Sequence, residues 1–180
     1  EIMQLFSIGL NRIHPDGTLA LNAQGFPVPT YAQEQVVGLA HVFTGWSYNG
    51  DTTSFGGSTI NYMLPMIAFP TQHSPLEKNL LDNTVIPALA VPTTQSTVDE
   101  LQQSIDLIFH HPNVAPFICR QLIQRLVTAN PSPGYIYRVA TVFADNGSGV
   151  RGDMKAVIKA VLMDPEARYA SFAAQPTFGH

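Results

Sequence analysis

Positive charge is scarce in this chain. Lys and Arg together number nine against thirteen Asp plus Glu, for a net charge of −4, and the nine are spread without forming a stripe. That argues against nucleic acid as a partner, since such binding needs a clustered basic face. Long hydrophobic runs are missing too. The longest apolar stretch, Ile60 to Pro70, is broken by Asn61 and Pro65, well short of the ~20 residues that a membrane helix requires. Cysteine occurs once, at Cys119, so nothing can be read about redox compartment. A lone thiol on a helix with Leu122 and Leu126 on its apolar stripe reads as core. Signatures of nucleophilic or zinc hydrolysis are absent: there is no G-x-S-x-G, no H-E-x-x-H and no cysteine in a catalytic setting. Gly147 to Gly152 formally matches G-x-G-x-x-G, but the segment before it has helical rather than strand period, which excludes the dinucleotide fingerprint. Arg151-Gly152-Asp153 spells an adhesion tripeptide, with its Asp better placed as a helix N-cap.

What is present is helical periodicity. From about Val114 to Val127, apolar residues recur at three and four positions (Val114, Phe117, Ile118, Leu122, Leu126), with Asn113 where an N-cap belongs. A second helix opens at Ser132-Pro133 and presents Ile136, Val139, Val142 and Phe143, stopping at Asp145-Asn146-Gly147. A third starts near Asp153 and carries Met154, Val157, Ile158, Val161 and Leu162 before Pro165 ends it. At 180 residues and 45% hydrophobic, the chain suffices for a single helical domain spanning 1–180 that buries roughly 70% of its unfolded surface.

Upstream, Glu1 to Gly9 reads as a helix remnant capped by Gly9. Because residue 1 is Glu and falls inside a helical pattern, the chain reads as a fragment of a longer protein whose signal peptide would lie upstream. His14 to Pro29 alternates turn dipeptides with short apolar pairs, as in a small hairpin or ordered loop. Thr30 is expected to cap a helix through Phe43 with Val36, Leu39, Ala40 and Phe43 on its core face, closed by Thr44-Gly45-Trp46. Ser47 to Pro92 is irregular, punctuated by Gly and Pro. A loop that long is usually functional, so any site should be lined from it. Thr97-x-x-Glu100 reads as a capping box opening a helix to His110, with Val98, Leu101, Ile105 and Ile108 apolar. The fold class expected is mainly α: an orthogonal multi-helix bundle with a long irregular loop region that can hold a small β-hairpin.

Several long motifs carry a family likeness. The run His110-His111-Pro112-Asn113-Val114-Ala115-Pro116-Phe117-Ile118-Cys119-Arg120-Gln121-Leu122-Ile123, then Arg125-Leu126-Val127-Thr128 and Gly149-Val150-Arg151-Gly152-Asp153-Met154-Lys155-Ala156-Val157, resembles the bacterial family known as domain of unknown function 1800. Glu1-Ile2-Met3-Gln4-Leu5-Phe6 looks like the end of one of that family's helices, and Pro29 to Ala40 with Val42-Phe43-Thr44-Gly45-Trp46 like its next helix and closing turn. The resemblance covers nearly the whole chain and fits the C-terminal part of the family. It implies a larger, exported bacterial protein (periplasmic, cell-surface or secreted) of uncharacterised activity, often encoded beside a sulfatase-like partner. It carries over no established catalytic residues. His73 followed five residues later by Lys78 and a Leu-rich segment also matches the family's pattern.

Candidate site residues follow from these stretches. His73 and Lys78, with Glu77 between them, form the polar cluster of the loop region; the bland alternative is a solvated helix start and a loop donor. Asp106 and His110 lie four apart on one helix face beside His111, a spacing that can share a metal with further ligands such as His73, or can be helix-end electrostatics alone. Asp16 and Asn22 could offer oxygen to Ca²⁺, though not at EF-hand spacing, and an Asp-Gly turn explains them as well. Arg120 and Arg125 stand about 140° apart on their helix; Arg120 is the one placed to reach a carboxylate or an anionic ligand, or to make a structural ion pair. Two functional classes result. In one, the domain is a partner- or glycan-binding scaffold whose contact surface is Ser47 to Pro92, with Trp46, Tyr48, Phe55 and Tyr62 facing solvent. In the other it is a hydrolase-type enzyme working with the sulfatase-like partner, using His73, Lys78, Arg120 and His110 or His111 around one pocket. No cofactor is indicated.

Overall fold

The computed structural model describes residues 1–50 and 53–169. It is mainly α-helical: α1 (Ile2–Phe6), α2 (Gln33–Val42), α3 (Thr94–His110), α4 (Val114–Leu126), α5 (Pro133–Ala144), α6 (Met154–Met163) and α7 (Pro165–Tyr169). Short antiparallel pieces fall between α2 and α3: β1 (Trp46–Ser47), β2 (Asn49–Gly50), β3 (Ile60–Asn61), β4 (Ile67–Ala68), β5 (Lys78–Asn79) and β6 (Val85–Ile86). β1 pairs with β4, β2 with β3, and β5 with β6. The described residues form two compact units, one of Glu1–Thr30 with 111–169, the other of Tyr31–His110.

In the first unit, α4, α5 and α6 pack on one another and bury Cys119, Ile123, Val139, Val157 and Val161 completely. These helices form where apolar periodicity placed them. Ser132 Oγ accepts from Tyr135 N at the start of α5, and Asp153 Oδ1 accepts from Lys155 N and Ala156 N at the start of α6. The buried face is narrower than the apolar stripe, however: Leu126, Met154 and Leu162 are 43–51% exposed. Asn113 also differs from its expected role. Its backbone is already helical and its side chain makes no cap. Instead the amide donates to the Ile8 and Asn11 carbonyls, both at 2.8 Å, and its oxygen accepts from Ile13 N at 3.1 Å. One buried side chain thereby fastens the N-terminal segment to the start of α4 across a hundred residues of sequence. Gly9 takes the left-handed conformation (φ 73°) that lets its N–H bond Met3 O after α1.

In the second unit, the two helix starts depart from the sequence expectation. α2 begins at Gln33, with Gln35 Oε1 accepting from Ala32 N, and Thr30 caps nothing. Its buried residues are Gly38, Leu39 and Val42, while Val36 and Phe43 are 37% and 42% exposed. The reason is close backbone packing: a Cβ at Gly38 would stand 2.1 Å from the Asn79 carbonyl oxygen of β5, so only glycine lets this face sit against the strand. α3 begins three residues before Thr97. Thr93 and Ser96 cap it reciprocally, Thr93 Oγ1 accepting from Ser96 N and Ser96 Oγ from Thr93 N. The expected box at Thr97 and Glu100 is thus inside the helix, and Thr97, Glu100, Ser104 and Ile108 are its buried residues.

Candidate functional site

Two features of the second unit stand out: a buried ionic cluster and an apolar arm above it in sequence. The cluster is centred on Glu100, which α3 turns inward. Glu100 Oε2 lies 2.9 Å from Lys78 Nζ and 2.9 Å from His73 Nε2. Lys78 Nζ also donates to the Ser74 and Leu76 carbonyls, both at 2.9 Å, so all three ammonium protons have acceptors. His73 Nδ1 donates to the Thr44 carbonyl at 2.9 Å. Lys78 is fully buried and His73 and Glu100 are each 4% exposed. An ammonium so enclosed is tolerated because a carboxylate and two carbonyls replace its water shell. The cluster joins the segment after α2, the loop 69–79 and α3.

The arm is a stepped antiparallel ribbon. Its outgoing limb runs through β1 and β2 and its returning limb through β3 and β4, with Ser47 opposite Ile67 and Asn49 opposite Asn61. Between these pairs the outgoing limb has one residue, Tyr48, and the returning limb has Tyr62 to Met66. The extra residues bulge outward. Asn61 Oδ1 accepts from Met63 N at 3.0 Å, and the Tyr48 and Tyr62 rings meet edge to face at 5.2 Å. The bulge reads Tyr62-Met63-Leu64-Pro65-Met66, and its exposures are 73% at Tyr62, 90% at Met63, 50% at Leu64 and 47% at Met66. Phe55, 49% exposed, packs its edge on Phe69. From Ser47 to Leu76 the only Asp, Glu, Lys or Arg is Asp51.

The base of the arm is fixed by the cluster's neighbours. Phe69 N donates to Gly45 O at 2.7 Å, and Ser74 N donates to Thr44 Oγ1, which itself donates to the His41 carbonyl. Gly45 has φ 77°, and a Cβ there would stand 2.8 Å from His73 N and from Phe69 O. The ionic cluster is therefore the footing on which a short ribbon, marginal by itself, is held.

The other candidate residues fall elsewhere. His110 is exposed; its Nδ1 donates to the Asp106 carbonyl rather than meeting the Asp106 carboxylate, which accepts from Gln102. Both border an open groove of about 490 Å³ that Asp82 and Asp99 also line. Among the described residues no group of three or more His, Cys, Asp and Glu side chains is arranged to hold a metal ion. His111, in the first unit, is buried, and its Nδ1 accepts from Asn113 N. Asp16 Oδ1 accepts from the Thr18 hydroxyl and N–H, which together hold its carboxyl below the ordinary range. Asn22 Oδ1 accepts from Gln24 N and Phe26 N. Both are thus turn-forming side chains. Arg120 is exposed and borders a groove that Arg125 borders as well. Cys119 is fully buried, and burial pushes its thiol up to about 12.

Sequence reasoning missed Glu100 as the partner of His73 and Lys78, since a Thr-x-x-Glu spacing suggests a cap first. It found Tyr48, Phe55 and Tyr62 but not Met63, Leu64 and Met66, and Trp46, expected at the surface with them, is half-buried with its indole nitrogen enclosed. The signal available was the near-absence of charge from Ser47 to Leu76.

A family model described as protein of unknown function (DUF1800) matches residues 1–177, in agreement with the motifs at both ends of the chain. No curated protein and no solved structure matches it.

Proposed function

The chain belongs to the DUF1800 family of proteins of unknown function, and we propose that within it this domain is a partner-binding module whose contact element is the bulge Tyr62–Met66. The observation that carries the reading is an ordered, wholly apolar five-residue bulge displayed to solvent on a ribbon with almost no charge. Exposed large side chains are common singly, but contiguous ones mark contact surfaces. Burying a Met or Leu side chain is worth about 1.5–3 kcal/mol, and Tyr48 and the Asn61 turn hold the bulge in shape, which lowers the ordering cost of binding.

The aliphatic and thioether side chains of Met63, Leu64 and Met66 favour a protein over a glycan, because they offer nothing to sugar hydroxyls. Within the bulge, Tyr62 supplies the one ring that could stack on a sugar. His73 and Lys78 are buried with their hydrogen-bonding groups engaged inside the fold, so this reading gives them the work of support. The setting we propose is an exported bacterial protein, and the first partner to present is the sulfatase-like protein that the family resemblance brings in.

The test is calorimetric titration of that protein into wild type and into the Y62A/M63S double variant. Two central contact residues predict a loss of about thirtyfold or more in affinity, with thermal unfolding changed by no more than the about 0.5–1.5 kcal/mol of the lost Tyr48–Tyr62 ring contact. Unaltered affinity in the double variant would sink the reading. Binding of a soluble polysaccharide with the same dependence on Tyr62 would move the ligand from protein to glycan.

A further inference from the structure

The first unit holds a groove of about 500 Å³ between α4 and the segment from α1 to Leu19, distinct in chemistry from the arm. Arg120 and Arg125 border it, with Gln121 and Gln124 between them on α4 and Leu5 and Leu10 opposite. No Asp or Glu is among its lining residues. Neither arginine makes an ion pair with any described residue. Both guanidiniums therefore face the groove with no carboxylate of the described residues on them. Leu5 and Leu10 are half exposed, at 50% and 55%. Gly9 brings the N-terminal segment against the Phe117 ring: a Cβ there would stand 2.9 Å from it.

We infer that this groove docks an acidic, extended peptide segment of a partner protein, its carboxylates on Arg120 and Arg125 and its apolar side chains on Leu5 and Leu10. Charge complementarity selects the occupant. Guanidinium groups are the residues that bind carboxylate in two-point fashion, and amide side chains between them can meet peptide backbone. The two arginines are about 7.5 Å apart along the α4 axis and about 140° apart around it, so each takes its own carboxylate of the segment. A polyanion such as nucleic acid is disfavoured, since two cations on a chain of net charge −4 give it little to neutralise.

The test is a ¹⁵N chemical-shift titration of the protein with the peptide acetyl-Leu-Glu-Val-Glu-Leu-amide, and with the same peptide carrying Gln for both Glu. Perturbations confined to Gln4–Leu5, Gly9–Ile13, Leu19 and Phe117–Arg125, at least tenfold weaker binding of the Gln peptide, and the same loss in the R120Q/R125Q variant are expected. Thermal unfolding of that variant should match wild type, because both arginines are exposed. Equal binding of the two peptides, perturbations elsewhere, or a short oligodeoxynucleotide or inorganic phosphate that outcompetes the acidic peptide would each overturn the proposal. None of these outcomes depends on Tyr62 or Met63, so failure here leaves the arm's role untouched.

Discussion

At the scale of single residues, Glu100 is where most is concentrated. Its Oε2 is the shared acceptor of Lys78 and His73, and among the described residues it supplies the only negative charge in contact with a fully buried ammonium. Replacing it by Gln keeps the size and removes that charge. Breaking one partner out of a buried ion pair costs roughly 3–5 kcal/mol, so E100Q should lose at least about 3 kcal/mol in urea unfolding with little change in m. A loss under about 1 kcal/mol would mean the cluster contributes nothing to holding the loop 69–79. Asn113 illustrates the same economy with neutral groups: three hydrogen bonds from one amide do what a longer stretch of packed chain would otherwise do.

At the scale of elements, Gly38 decides how α2 meets β5. Helix propensity alone predicts that Gly38→Ala stabilises by about 1 kcal/mol. The 2.1 Å approach of a Cβ to the Asn79 carbonyl acts in the opposite direction, and overpacking against backbone costs roughly 1–3 kcal/mol or more. Sterics should win, lowering the denaturation midpoint of G38A; a raised midpoint would show that the helix can tilt away freely. This contact also explains which elements were legible in the sequence. α5 and α6 were readable because their apolar period coincides with burial at Ile136, Val139, Phe143, Val157 and Val161, whereas α4 was found as a helix whose buried face runs through Val114, Cys119 and Ile123 rather than through Leu122 and Leu126. α2 was found as a helix whose expected face is right at Leu39 but not at Val36 and Phe43, since glycine carries no hydropathy signal for a close approach. α3 was found with the wrong start and a stripe right only at Ile108, because its other buried positions are the polar Thr97, Glu100 and Ser104. The arm's register was beyond periodicity altogether. Two pairings two residues apart on one limb and six on the other leave no alternating pattern to detect.

At the scale of the whole molecule, stability should follow pH through its engaged carboxylates. Arg138 donates two hydrogen bonds of 2.8 Å to Asp164, itself 6% exposed, and these hold the Asp164 carboxyl below its ordinary value. Asp153 and Asp16 are lowered as well, by Asn146 and Thr18. A carboxyl whose folded value lies below the unfolded one, about 3.9, contributes stability that is fully present above the unfolded value and is lost as pH falls through the folded one. Melting temperature should therefore be flat from about pH 5 to 7 and drop steeply below about pH 4. D164N should cost about 2 kcal/mol at neutral pH, as lost hydrogen bonds to a charged group do, and its deficit should vanish towards pH 2. A constant deficit down to that pH would assign the effect of Asp164 to packing instead.

The scarcity of charge along the arm reaches beyond affinity into the kinetics of encounter. A surface whose thirty residues from Ser47 to Leu76 hold one carboxylate projects almost no field, so approach to it is governed by diffusion and orientation, at rates of about 10⁵–10⁶ M⁻¹s⁻¹ that barely respond to ionic strength. A paired-arginine groove draws its ligand in electrostatically and is screened over about 8 Å at physiological salt. Raising the salt concentration would leave the first association rate in place and slow the second, so a single buffer variable distinguishes the two surfaces by how fast they are found.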